Sequence, residues 1–76
     1  MTLAFVLIAS EIGAEAEVYE ALKKLPEVKE VYMIYGGYDI IAKVEAEDMD
    51  KLREVVIMKI RRMDKVRSTQ TMIVMK

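Results

Sequence analysis

Two short runs hold the side chains most able to do chemistry. Tyr35-Gly36-Gly37-Tyr38-Asp39 puts two phenols, two glycines and an acid together. Ser68-Thr69-Gln70-Thr71 sets four hydrogen-bonding side chains in a row inside an otherwise apolar C-terminal stretch. A two-residue turn between strands favours glycine because it needs positive φ. Aspartate is depleted in strands, so Asp39 at the start of one calls for a partner or for water. Either it accepts a backbone N–H and pins the turn, or it faces a ligand. The hydroxyl row likewise reads in two ways. Thr is a good strand former, and hydroxyls in a row can hydrogen-bond a small polar ligand.

The competing chemistries lack their residues. The chain has no Cys and no His, which argues against a structural zinc site, a disulfide or a copper-binding Cys pair. It has no Asn, and no pair of acids or bases falls at a telling spacing, so no catalytic residue and no cofactor is expected. A net charge of −1 gives no basic patch for phosphate backbones. An RNA-recognition sheet would carry aromatics on its central strands, and Tyr38-to-Ala46 carries acids instead. Thr2 to Ala9 is apolar but too short to span a bilayer, and it lacks a basic leader and a cleavage signal. The expectation is a cytoplasmic protein with no membrane segment. Absence of Asn, a single Gln and a surface of Lys, Arg and Glu fit a thermophile.

The elements that must position these runs follow from periodicity. Thr2–Ser10 reads as a strand without alternation, so both faces should be covered. Val18, Tyr19, Leu22 and Leu25 recur at helical spacing, and Pro26 ends that helix. Val28–Tyr35 is a second strand. Gly36-Gly37 turns it into a third, where Tyr38, Ile40, Ala42 and Val44 share one face and Asp39, Ile41, Lys43 and Glu45 the other. Asp48 caps a second helix with Met49, Leu52, Val55, Val56, Ile60 and Met63 as its buried stripe. Val66–Lys76 is the fourth strand. Thr69 and Thr71 share one face of it, Ser68 and Gln70 the other. Met49, Met63, Met72 and Met75 are expected in the core as gap-fillers.

The order β-α-β-β-α-β over residues 1–76, as one domain, predicts a ferredoxin-like α+β sandwich. Four antiparallel strands carry both helices on one face. The halves also match weakly, Leu25-Pro26-Glu27-Val28-Lys29 against Met63-Asp64-Lys65-Val66-Arg67. So short a chain buries only roughly 60 to 65% of its unfolded surface, yet 54% of its residues are hydrophobic. The open sheet face is therefore expected to pack on a second copy, giving a homodimer of the dimeric α/β-barrel type.

In this order and at these spacings, Gly36, Tyr38 and Asp39, then Asp48, then Val66, Thr69 and Thr71 resemble the effector-binding (RAM) domain of the Lrp/AsnC transcription regulators. The likeness covers nearly the whole chain. The family's usual helix-turn-helix is absent, so the chain looks like a stand-alone RAM module, without direct DNA contact. The resemblance implies homodimers that assemble into rings such as octamers, with full-length regulators as possible partners. It also implies a free amino acid at the dimer–dimer interface, held by Tyr35, Gly36, Gly37, Tyr38, Asp39, Ser68, Thr69 and Thr71. These residues suit a zwitterion. Glycines expose backbone N–H groups to a carboxylate, Asp39 offers an anchor for the ammonium, Ser68, Thr69 and Thr71 complete the shell, and Tyr35 or Tyr38 walls the pocket. A rival of the same class, the ACT domain, would place its ligand near Gly13 instead.

Overall fold

The computed structural model describes residues 1–75, and Lys76 lies outside them. Four strands and two helical segments follow the expected order: β1 (Thr2–Ser10), α1 (Glu15–Lys23), β2 (Val28–Met33), β3 (Ile40–Ala46), α2 (Met49–Glu54) and β4 (Val66–Ile73). A π-helical segment, Val55–Ile60, continues α2. The sheet runs β2-β3-β1-β4 and every neighbouring pair is antiparallel. This is the ferredoxin-like sandwich, with β1 and β3 inside and β2 and β4 at the edges.

Alternation, hidden in β1 by its uniform apolarity, emerges in three dimensions. Ala4, Val6 and Ile8 are fully buried beneath the helices, as are Ile40, Ala42 and Val44 of β3. Val18 and Leu22 of α1, Leu52 of α2, and Val55, Val56 and Ile60 of the π segment close over them. On the other face Leu3, Phe5, Leu7 and Ala9 are only half-buried. Register places Ile41 opposite Leu7, Tyr32 opposite Ile41 and Met72 opposite Phe5, so this bare face is apolar at its centre.

The repeat is structural as well as textual. Leu25 takes Leu22's carbonyl and gives its own to Val28 N–H at 3.1 Å; Met63 does the same between Ile60 and Val66 N–H, also at 3.1 Å. Each helix is thereby tied to the strand that follows it. The cap expected at Asp48 forms, its Oδ1 accepting from Lys51 N–H at 2.8 Å.

Several expectations need correcting. Gly36-Gly37 is not a two-residue turn. The loop runs from Ile34 to Asp39, closed by Ile34 N–H to the Asp39 carbonyl at 2.8 Å, and only Gly36 of the pair has positive φ, at 149°. β2 ends at Met33 and β3 begins at Ile40, so Tyr38 does not share the buried face. β4 ends at Ile73 rather than running on toward Lys76, which lies outside the described residues. Of the four methionines assigned to packing, only Met63 packs on the core; Met49, Met72 and Met75 are exposed. Met72 sits on the open face, Met75 lies beyond β4, and Met49 starts α2. No helix among the described residues is long and apolar enough to cross a membrane.

Candidate functional site

The hairpin and β1 meet at Asp39. Its backbone N–H donates to the Ile8 carbonyl at 2.9 Å. Its Oδ2 accepts the Ser10 N–H at 2.8 Å and the Ser10 hydroxyl at 3.1 Å. Ser10 is the one buried polar residue among those described, and this carboxylate satisfies it. Asp39 thus has the backbone partner that its type demands, but the partner lies at the end of β1 and not in the turn. Oδ1 accepts no hydrogen bond from the described residues.

Beside it Tyr38 donates its hydroxyl to Gln70 Oε1 at 3.0 Å. Gln70 pairs with Leu7, so this bond lies on the open face and straps the hairpin across β1 to β4. Tyr35 stands fully in solvent at the tip, with Gly36 and Gly37 exposed next to it. A Cβ at either glycine would meet nothing within 4 Å. The φ of Gly36 accounts for one glycine; nothing inside the chain requires the other.

The β4 hydroxyls divide. Thr69 and Thr71 pair with Ile8 and Val6, which puts them on the helix side. There they floor a groove of about 490 Å³ between β4 and the second helical segment. Leu52, Val56, Ile57 and Ile73 give it apolar walls, and Arg53 and Arg61 give it charge. Ser68 lines a neighbouring hollow of about 240 Å³ with Arg61, Arg67 and Thr69. Within one chain, then, Tyr35 to Asp39 form one cluster, Thr69 and Thr71 another, and Ser68 lies at the margin. Sequence reasoning missed Ser10, Arg53 and Arg61, and it named Gln70 in the polar run without giving it a site role. Gln70 carried a signal, as the lone amide side chain of the protein.

Charge elsewhere is structural. Burial alone would raise the Glu27 carboxyl, but the Lys59 ammonium, 3.1 Å away, holds it below its ordinary range. On the open face Glu30 is held down by the Tyr32 hydroxyl first and by Lys43 second, and the Tyr32 phenol is raised by the same bond. Among the described residues no three His, Cys, Asp or Glu side chains gather as a metal site.

Comparison with known proteins bears on what these clusters serve. Residues 3–76 match the Lrp/AsnC ligand binding domain. The HTH-type transcriptional regulator FL11 of Pyrococcus furiosus is 38% identical over 74 residues, which are 97% of this chain and 48% of that protein. The chain therefore spans about half the length of the curated relatives it matches. The crystal structure of FFRP-DM1 is 44% identical, covers 99% of this chain and 100% of its own, and superposes with a TM-score of 0.96. A Neisseria meningitidis transcriptional regulator solved as an L-Met complex shares the fold at a TM-score of 0.88 and 21% identity, over 99% of this chain and 50% of that one. With a family match over almost every residue and a topology that agrees with it, this chain belongs to the Lrp/AsnC ligand-binding domain family.

Proposed function

We propose that the chain is an amino-acid-sensing regulatory module. It binds a free amino acid between subunits and converts occupancy into a change of assembly. That change then acts on transcription through a partner regulator of the same family. The observation that carries the reading is the match to a ligand binding domain across residues 3–76.

Local geometry supports it. The ligand sits between the hairpin tip of one subunit and Ser68, Thr69 and Thr71 of another, since within one chain Thr69 and Thr71 lie on the sheet face away from the Tyr38–Gln70 bond. Gly36 and Gly37 leave backbone N–H groups open to a carboxylate. Asp39 Oδ1 takes the ammonium while Oδ2 stays on Ser10. Tyr35 and Tyr38 wall the side-chain pocket. The half-buried residues Leu3, Phe5, Leu7 and Ile41 form the homodimer contact, and dimers then join into a ring such as an octamer.

The mechanism is linkage. A ligand that touches two subunits binds the assembled form and the free dimers unequally, so it shifts assembly by that difference. Couplings of about 1 to 3 kcal/mol would shift it roughly 5- to 150-fold. A thermal-shift screen of the twenty amino acids, run with light scattering, tests this. At least one amino acid should raise the melting temperature and change the scattering mass together. If none moves either signal, the module is a structural subunit and not a sensor.

A further inference from the structure

We propose that the groove between the second helical segment and β4 binds a small apolar monocarboxylate that carries no ammonium, with branched 2-oxo acids as the type. Its volume of about 490 Å³ falls in the range of small-molecule sites. Leu52, Val56, Ile57 and Ile73 offer a hydrocarbon chain a surface it prefers to water. The hydroxyls of Thr69 and Thr71 hold no hydrogen bond to other described residues, so both can serve a 2-oxo group or a carboxylate.

Charge narrows the class. Arg53 already has Asp50 at 3.8 Å. Arg61 has no ion-pair partner among the described residues. The free Arg61 guanidinium can take one carboxylate, which its fork binds with two parallel hydrogen bonds. No acid lines the groove. An ammonium there would face the Arg61 guanidinium with no acid in the groove lining to offset it, and at about 4 Å that repulsion costs roughly a factor of five even in water. The wall itself is unusual. Val56 and Ile57 belong to the π-helical segment, and such segments recur at functional sites.

The inference needs one chain only, whereas the amino-acid reading needs two. The readings share Thr69 and Thr71 and differ at Arg61 and the hairpin. Titrating 4-methyl-2-oxopentanoate into the ¹⁵N-labelled protein, with leucine as comparison, tests it. Saturable amide shifts at Arg61, Thr69, Thr71 and Ile73 are expected, with leucine weaker there by about fivefold or more. Arg61→Gln should weaken the oxo acid by about tenfold or more. Its side chain is exposed, and the amide spectrum reports directly whether the variant folds. Thr71→Val should weaken binding several-fold while leaving the spectrum elsewhere intact. No saturable shift in the groove, equal binding of leucine there, or indifference to Arg61→Gln each overturns the proposal. Amino-acid shifts centred on residues 35–39, with a change of mass, would uphold the sensing reading whatever the groove does.

Discussion

At the scale of single residues Asp39 does two jobs with two oxygens. Oδ2 satisfies buried Ser10, and Oδ1 is left for other partners. Removing the carboxylate orphans a donor in a buried residue, which costs about 1 to 3 kcal/mol. Asp39→Ala should lower stability by that amount in chemical denaturation, and Ser10→Ala by less, since the backbone N–H keeps its acceptor. Glu27 gives a pH signature. Its carboxyl is held below the ordinary value of 4.5, so the folded chain keeps it ionised where the unfolded chain takes up a proton. The stability from this group is complete above that ordinary value and is lost as pH falls through the lower, folded one. Glu27→Gln should remove that part of the acid sensitivity and cost no more than about 1 kcal/mol at neutral pH, because Lys59 is partly in solvent. Comparing melts of the two proteins from pH 7 to pH 3 would show the curves converging at the acid end.

At the scale of elements the second helical segment carries most information. Asp48 closes its first turn through Lys51 N–H. Asp48→Ala should cost about 1 kcal/mol in denaturation, and hydrogen exchange should quicken in the first turn of α2. Further on, Leu52, Val56 and Ile60 recur every four residues and all are buried. Four residues exceed the 3.6-residue α turn. A wider turn keeps the stripe on the core, and Arg61 N–H accordingly donates to the Val56 carbonyl five residues back, at 2.8 Å. The amphipathic stripe was legible in Leu52, Val55, Val56 and Ile60. The π geometry was not, because the same spacing is compatible with an α-helix until a sheet lies beneath it. The hairpin failed for a similar reason. Glycine permits a two-residue turn, but Ser10 at the end of β1 takes the Asp39 carboxylate and ties a longer loop.

At the scale of the molecule the unanswered surface is the sheet. The chain exposes 5073 Å², where a compact monomer of 8.7 kDa exposes about 4,700 Å². Leu7 lies at the centre of the open face, between Ile41 and Gln70. A charge there leaves the helix-side core untouched and opposes burial against a second copy. Leu7→Asp should sediment as a monomer at micromolar concentration while its far-UV circular dichroism stays native. Wild-type protein should sediment as a dimer or larger. A wild-type monomer with this face in water would remove the basis for sensing through assembly.

Sequence alone determined the element order, most of the helical core stripes, the Asp48 cap and the family, since each rests on local spacing and on residue types that few other folds tolerate together. It also marked Tyr35 to Asp39 and Ser68 to Thr71 as chemically apt. Only the tertiary structure decided which of these meet. A strand sends neighbouring side chains to opposite faces, so Thr69 and Thr71 went to the helix-side groove while Gln70 went to the open sheet and took Tyr38 with it. Arg61 lines the groove just past the π segment, five residues before the strand that forms the other wall begins. Contacts between residues 29 or more positions apart, such as Ser10 with Asp39 and Tyr38 with Gln70, depend on sheet order and register. Those exist only once the whole chain has packed.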